Sequence, residues 1–320
     1  MKKLAIIGLG LMGGSLGLAV KRRGLVESVC GYARREENRR SALKRGVVDS
    51  VFDSAEAAVR DADFVVFCVP VLAIAGLASV CKAHFSNNCV VTDVGSTKAN
   101  LVSELTPLFK DIPVTFVGSH PIAGSEQSGL DAARADLYDG SVVVVTAEAG
   151  GGAARGQRSR RWRDKSKACP APSGVRDQGI EDREGSAVAM VAEFWEGLGA
   201  EVVVMDPAEH DRIIARTSHL PHLIAAMLVS SVHRDGGDQI RKFCGTGFYD
   251  TTRIAGGSEK IWHDIVKSNR SCVSRELDEF REVFDHVKAM IDKGDFDGVR
   301  HFLAESRRFR QRFSGRKDTT

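Results

Sequence analysis

A histidine stands beside a proline in a glycine- and serine-rich stretch, GSHPIAG, at residues 118–124. It follows an apolar run, Val114–Val117, that predicts a buried strand. Ser96 comes just after another such run, in DVGSTK. Ligands of open α/β sheets bind at the carboxyl ends of strands, and an imidazole is a base near pH 7. We therefore take His120, predicted on a turn, and Ser96 as candidate catalytic residues. The alternatives are an ordinary loop histidine and a helix N-cap.

A second stretch with chemical meaning opens the chain. AIIGLGLMGGSLG contains three glycines in the spacing G-x-G-x-x-G, between an apolar strand and a helix. The first permits a tight turn, the second admits a pyrophosphate, and the third lets the helix pack on the strand. Phosphates then sit on the helix N-terminus. The predicted cofactor-binding residues are Gly8, Gly10, Leu11, Met12 and Gly13, with Val69, Pro70 and Gly95 at the ends of two later strands.

The end of the second predicted strand indicates which nicotinamide cofactor binds. NAD sites carry an acidic residue there, for the ribose 2′-hydroxyl. Here Ala33 is followed by Arg34 and Arg35, which suit a 2′-phosphate. We predict NADP, with NAD as the alternative if these arginines only begin a solvated helix.

The apolar patterns predict an α/β fold. Residues 1–147 alternate short apolar strands with helix-length segments, and a helix and the strand Glu201–Met205 follow from residue 187. From Pro207 onward the periodicity is helical throughout. We predict an N-terminal Rossmann-like domain, 1–206, with a doubly wound, mostly parallel sheet, and an all-helical C-terminal domain, 207–320.

Residues 150–186 interrupt this pattern. They are rich in Arg, Gly and Ser, and Ala153–Lys167 holds seven basic residues against one acidic. So few apolar side chains cannot offset the entropy of ordering, which predicts a disordered insertion. A basic RNA-binding arm is the alternative, but Trp162 is its only aromatic residue.

The overall composition excludes several classes of protein. A hydrophobic fraction of 43% and a charged fraction of 27% are typical of an ordinary soluble protein, and a net charge of +3 favours neither nucleic acid nor membrane binding. Seven cysteines without a C-x-x-C pair indicate free thiols in a reducing compartment. The first apolar run breaks at Gly8, too early for a signal peptide. We expect a cytoplasmic protein with neither a nucleic acid nor a membrane partner.

Together these motifs resemble the prephenate/arogenate (cyclohexadienyl) dehydrogenase family of tyrosine biosynthesis. The likeness covers residues 1–147 and 187 to about 305. It rests on several motifs in the family's order: GLGLMGGSLG, DVGSTK, GSHPIAGSEQSG, the pair His210–Asp211, SHLPH at 218–222, and DTTRIA with Trp262 beyond it.

The resemblance implies oxidative decarboxylation of a cyclohexadienol, prephenate or arogenate, with hydride transfer to NAD(P)+. It implies that His120 accepts the hydroxyl proton, that Ser96 hydrogen-bonds beside it, and that Arg253 receives the side-chain carboxylate of a dicarboxylate substrate. An Arg253–Asp250 helical pair is the alternative. His222, Ser125 and Trp262 are further candidate substrate contacts, with core packing as the alternative for Trp262 and a structural role expected for His219. By resemblance, the helical domain is expected to form a homodimer.

Other functions also fit parts of the pattern. His219 and His222 share a helix face, but a zinc site needs a third ligand and none is evident, so we predict no metal. A β-hydroxyacid dehydrogenase shares the N-terminal glycine motif, although it uses a lysine of its second domain. A non-catalytic NADP-sensing regulatory protein would need no base such as His120.

Overall fold

Short runs of Val, Ile and Phe form a parallel sheet because such residues fill both of its buried faces. The computed structural model describes residues 1–124, 127–147, 178–234 and 237–313, with backbone alone for 178–184 and 237–238. In the described chain the first sheet has six strands: β1 Lys3–Ile7, β2 Ser28–Tyr32, β3 Ser50–Phe52, β4 Phe64–Phe67, β5 Val90–Asp93 and β6 Thr115–Phe116.

The strand order is β3-β2-β1-β4-β5-β6, and every pair is parallel. The chain runs outward from β1 to β3 and returns to β1 with β4, so the direction of winding reverses between β1 and β4. A crevice at the carboxyl ends of strands at such a reversal is where this fold binds its ligands. The predicted fold class is confirmed. Strand β3 is missing from the predicted elements, because three residues are too few to form an apolar run.

Side chains of β1 alternate between two cores, one on each face of the sheet. Leu4 and Ile6 belong to one core, whereas Ala5 and Ile7 belong to the other. Helices on both faces cover these cores: α1 Leu11–Arg23, α2 Glu36–Lys44, α3 Ala55–Val59, α4 Val71–Cys81, α5 Ala99–Phe109 and α6 Gln178–Gly197. The sheet is therefore doubly wound.

A second sheet of three strands contains the histidine motif: β7 Ser119–Ile122, β8 Val142–Thr146 and β9 Glu201–Met205. Strand β7 is antiparallel to β8, and β8 is parallel to β9. The prediction that His120 lies on a turn is wrong, because it pairs with Val144 inside β7. Pro121 is tolerated in this strand because β7 is an edge, where a missing N–H need not weaken the ladder.

The insertion is shorter than predicted at its C-terminal side. Helix α6 begins at Gln178, so residues 178–186 are helical, not disordered. Residues 148–177 lie outside the described chain.

Beyond β9 the described chain is helical, as predicted. Its helices are α7 Pro207–Ile214, a π-helical turn Ala215–His219, α8 Leu220–Arg234, α9 Gly237–Ile240, α10 Thr246–Thr252, α11 Glu259–Ser268, α12 Arg270–Asp292 and α13 Phe296–Phe313, with short 3₁₀ turns at Arg241–Phe243 and Arg253–Gly256. Two compact units are Met1–Arg270 and Ser271–Thr320. The predicted division at residue 206 stays a prediction.

One continuous helical stretch, 28 residues from Pro207 to Arg234, has a mean hydropathy of 1.2 over its most apolar window. Length and composition alone would allow it to cross a membrane. Its histidines at 210, 219 and 222 are buried, and the first two hydrogen-bond within the protein.

Candidate active site

The carboxyl end of β5 organises the loop that carries Ser96. The Asp93 carboxylate forms a fully buried ion pair with Lys98 and accepts the backbone N–H groups of Gly95 (2.7 Å) and Ser119 (3.1 Å). Burial raises the pKa of Asp93 and lowers that of Lys98, and each charge opposes the shift of the other. Because Ser119 precedes His120, this one carboxylate joins the two loops predicted to carry the catalytic residues.

His120 begins a chain of three side chains. Its Nδ1 lies 2.9 Å from Nε2 of His210, and the Nδ1 of His210 lies 2.8 Å from the Asp211 carboxylate. All three side chains are buried; His120 is 8% exposed. The resemblance brought the pair His210–Asp211 to notice without giving it a role, and the structure connects it to the imidazole of His120.

This chain fixes the tautomer of each ring. A carboxylate only accepts hydrogen bonds, so the proton of His210 sits on Nδ1 and its Nε2 is left with a lone pair. That lone pair accepts from Nδ1–H of His120. The Nε2 of His120 is then unprotonated, which is the form that a general base requires.

Asp211 also caps helix α5. Its two carboxylate oxygens accept the backbone N–H groups of Lys98 (2.7 Å) and Ala99 (2.9 Å), where the helix begins. Lys98 is the N-cap residue, so the alternative that Ser96 caps this helix is wrong. Ser96 lies half-buried in the bend between β5 and α5, and Thr97 beside it donates to Ser268 (2.8 Å).

The surroundings keep the histidines neutral. Burial lowers the pKa of His120 well below 6.5, and the nearby His210, Lys98 and His219 lower it further. Burial also lowers the pKa of His210, against the pull of Asp211, and lowers that of His219 to about 4. At neutral pH His120 is therefore unprotonated and able to accept a proton.

A second group of side chains surrounds His222. Its ring stacks on Trp262, with centroids 3.5 Å apart and planes 14° from parallel. A side chain at Gly257 would overlap Trp262, so this glycine permits the close approach of the chain that follows Arg253. Helix α8 packs against the 3₁₀ turn that Arg253, itself exposed, begins. The structure thus gathers three of the predicted substrate contacts.

The π-helical turn Ala215–His219 connects this group to the first. Nine residues at about 100° each place positions 210 and 219 on opposite faces of an unbroken α-helix. The π turn, in which the N–H of Leu220 bonds to Ala215, takes up an extra residue and changes that rotation. As a result Asn269 reaches both Asp211 (2.8 Å to its carbonyl oxygen) and Nδ1 of His219 (3.3 Å).

The glycine loop after β1 has the geometry of a dinucleotide site. A Cβ at Gly8, which has φ +112°, would overlap the backbone of Cys68, and one at Gly13 would overlap the Gly8 carbonyl. A Cβ at Gly10 would meet open space, and the first turn of α1 has neither an acidic residue nor a side-chain cap. The backbone N–H groups in the first turn of α1 are therefore suited to bind a pyrophosphate. Leu11 and Met12 begin α1.

The remaining predicted cofactor residues border the same crevice. Val69 packs beside Gly8, Pro70 is the N-cap of α4, and Gly95 follows β5. Arg34 and Arg35 lie exposed after β2, and Nη1 of Arg35 is 3.5 Å from Oε1 of Glu37.

Comparisons with known proteins agree with this geometry. The family model "Prephenate dehydrogenase, nucleotide-binding domain" matches residues 16–156, and "Prephenate dehydrogenase, dimerization domain" matches residues 206–305. A cyclohexadienyl dehydrogenase of Zymomonas mobilis is 30% identical over 97% of this chain and 95% of its own length. The chain belongs to the prephenate dehydrogenase family. The resemblance read from the motifs is confirmed, and with it the assignment as an NAD(P)-dependent dehydrogenase.

Two further relatives fit the prephenate dehydrogenase family. A prephenate dehydrogenase of Lactococcus lactis is 29% identical over 97% of this chain and 77% of its own length. The crystal structure of prephenate dehydrogenase from A. aeolicus, in complex with hydroxyphenyl propionate and NAD+, superposes with a TM-score of 0.81 at 29% identity, covering 98% of each chain.

The assignment of Ser125 as a substrate contact stays a prediction, because this residue lies outside the described residues. No group of three or more His, Cys, Asp and Glu side chains within the described ranges is arranged to hold a metal ion. The structure adds to the candidate site residues to which the motifs gave no role: His210, Asp211, Asn269 and the Asp93–Lys98 pair. The available signal was the presence of His210–Asp211 and DVGSTK among the family's motifs.

Asp211→Asn is expected to lower kcat by about 10²- to 10⁴-fold. The carboxylate serves three donors, Nδ1–H of His210 and the backbone N–H groups of Lys98 and Ala99, and an amide has one oxygen and no charge. The tautomer of His210 is then no longer fixed, and the proton that His120 takes up is less stabilised. Steady-state kinetics measures the loss of kcat. A separate binding measurement should give the same cofactor affinity as the wild type.

Asp206→Asn provides the matched control. Asp206 is the N-cap of helix α7, and asparagine caps equally well. This variant should keep wild-type kcat. Equal losses in both variants would refute the tautomer argument.

Protein stability should fall in acid because buried histidines remain neutral only in the folded state. Their pKa values are lowered on folding, so the unfolded chain binds more protons below about pH 6.5. The free energy of unfolding is then flat above that pH and decreases from there toward pH 4, by on the order of 3 kcal/mol for His219 alone. Urea unfolding at several pH values measures it.

His120→Asn isolates one contribution. Asparagine keeps a donor in the place of Nδ1 but does not titrate, so the variant should lose less stability than the wild type between pH 7 and pH 5. A difference in stability between the two that is constant with pH would contradict the assignment.

Proposed function

We propose that this chain oxidises and decarboxylates prephenate or arogenate, giving 4-hydroxyphenylpyruvate or tyrosine. The observation that carries the proposal is the buried chain Asp211–His210–His120, which leaves Nε2 of His120 neutral and unprotonated on strand β7 of a dinucleotide-binding fold. A sensor of NADP would have no use for such a base. The chain's family argues against a β-hydroxyacid dehydrogenase.

This reaction needs a single base, which takes one proton from the substrate. Bound nicotinamide supplies the hydride acceptor. Hydride leaves the ring carbon that bears the hydroxyl, and the hydroxyl proton passes to Nε2 of His120. The bond from the ring to its carboxylate breaks, CO2 departs, and the electron pair enters the ring, which becomes aromatic. His120 can return its proton to the phenolate oxygen.

His210 and Asp211 assist His120 while it holds the proton. An imidazolium in a buried site is costly, but the Nδ1–H of His120 can be drawn toward His210, whose own ring is stabilised by the Asp211 carboxylate. Ser96 is assigned a hydrogen bond to the reacting hydroxyl, since its loop is joined to β7 through Asp93.

We assign the substrate's side-chain carboxylate to Arg253. A guanidinium can bind a carboxylate through two parallel hydrogen bonds. The stacked rings of His222 and Trp262 suit contact with a six-membered ring, and helix α8, which carries His222, packs against the turn that Arg253 begins. Ser125 retains its assignment as a substrate contact by family resemblance.

For the cofactor we propose NADP, with NAD+ as the alternative. The support is the absence of an acidic residue immediately after β2, where Ala33, Arg34 and Arg35 stand. A carboxylate there would repel a 2′-phosphate, whereas an arginine pairs with it.

We also propose a cytoplasmic homodimer formed through the helical region. Helices α12 and α13 carry large apolar side chains that are more than half exposed within their unit, among them Phe284, Phe296, Leu303 and Phe313. Large apolar side chains exposed in this number on two successive helices support an interface there.

The activity test is NAD(P)H formation at 340 nm with prephenate or L-arogenate and NAD+ or NADP+. We expect turnover in at least one of the four combinations, and a higher kcat/KM with NADP+. Folded protein that binds cofactor yet turns over neither substrate would refute the proposed reaction.

Arg34→Ser tests the cofactor assignment. It should lower kcat/KM for NADP+ by about 10- to 100-fold, the loss of a charge-assisted contact, and affect NAD+ less. Arg22→Ser is a matched control, because Arg22 pairs with Asp139 at the other end of α1. A wild type that prefers NAD+ would overturn the choice of NADP.

The dimer is tested by light scattering on a size-exclusion column. We expect a mass of twice 34.6 kDa for the wild type. The double variant Phe284→Asp, Phe309→Asp should shift it toward the single-chain mass, because burying a carboxylate in an apolar interface is costly. A monomeric wild type would contradict the assembly.

A further inference from the structure

Two buried polar atoms have no hydrogen-bond partner within the described chain: Nε2 of His219 and Nδ1 of His222. The two side chains are only 1% and 6% exposed. An unpaired buried polar atom costs a protein stability, so native structures retain one where a ligand completes it. Both residues lie beside Trp262.

Asn269 determines which nitrogen of His219 carries the proton. Its side-chain nitrogen lies 2.8 Å from the carbonyl oxygen of Asp211, which can only accept, so this atom is the NH2 group. The second N–H of that group points to Nδ1 of His219, 3.3 Å away. Nδ1 therefore accepts, and the proton of the neutral ring sits on Nε2.

His219 thus presents a buried N–H donor without a positive charge. Burial lowers its pKa to about 4, so the ring remains neutral at physiological pH. The pKa of His222 is lowered by burial as well. Neutral donors hold an anion more weakly than an arginine does, and that property distinguishes the two carboxylates of the proposed substrate.

The side-chain carboxylate keeps its charge throughout the reaction, and a cation suits it. The ring carboxylate loses its charge as it departs as CO2. A cation bound to it would stabilise the ground state over the transition state and slow the reaction. A dry site with uncharged donors orients this group at less cost to its departure.

We propose that Nε2–H of His219 binds the departing ring carboxylate of the substrate, and that Asn269 is a positioning residue that fixes this tautomer. The inference rests on the proposed function, because it assigns a group of the same substrate. It replaces the structural role that the sequence led us to expect for His219.

A matched pair of variants tests it in the full-length enzyme. The amide nitrogen of His219→Gln can replace Nε2–H, whereas His219→Asn reaches only the position of Nδ1. We expect His219→Asn to raise KM for the substrate at least about ten-fold, equivalent to about 1.4 kcal/mol, with kcat falling less. His219→Gln should stay within about three-fold of the wild type.

Hydroxyphenylpropionate is the discriminating probe because it lacks a ring carboxylate. In the presence of saturating cofactor, its Kd should change less than about two-fold in either variant. A clearly higher Kd of His219→Asn for hydroxyphenylpropionate would overturn the assignment. Equal KM values for the substrate in the two variants would do so as well. If His219→Asn fails to fold, His219→Phe fills the ring volume without a donor and must give the same result. Inactive wild-type enzyme would instead refute the proposed function itself.

Discussion

The Asp211 carboxylate is the group on which the rest of the site depends. It accepts the hydrogen bond of His210 at the end of the histidine chain. It also caps helix α5, and so fixes the loop that carries Ser96. Asp211 itself lies on helix α7, the first helix after β9. Two functions that usually belong to different residues, orienting a base and starting a helix, are combined in one side chain. The orientation of His120 is therefore only as precise as the docking of α7 on α5, which couples catalysis to the packing of these two helices.

Burial explains why this arrangement works near neutral pH. Each of the four histidines near the site loses solvation on folding, and each pKa moves down. The one buried cation beside them, within the described chain, is Lys98, and Asp93 balances its charge. The buried part of the site is then left with one negative charge, that of Asp211, and the cation assigned to the substrate, Arg253, is exposed.

Local patterns in the sequence predict most of the fold. Seven strands, the glycine loop and the helical region after Pro207 follow from apolar runs and spacing, because these depend on neighbouring residues. Strand β7 does not, since its proline suggests a turn and its pairing with β8 depends on residues more than 20 positions away. The same limit applies to the site: the type of residue at 120 indicates a base, but Asn269 approaches His219 only through the tertiary fold.

The π-helical turn at Ala215–His219 makes the length of this segment as important as its composition. Removing one residue from it would restore an ordinary α-helix, with every backbone hydrogen bond satisfied and no loss of helical propensity. Because the π turn takes up one extra residue, that deletion would leave the two ends of the helix at about the same relative rotation, with His219 and His222 still on the side of Asp211. A further residue inserted here, as ordinary α-helix, would instead rotate the two ends by about 100° and separate the two groups of the site, whereas most substitutions at the exposed positions 216 and 217 would not.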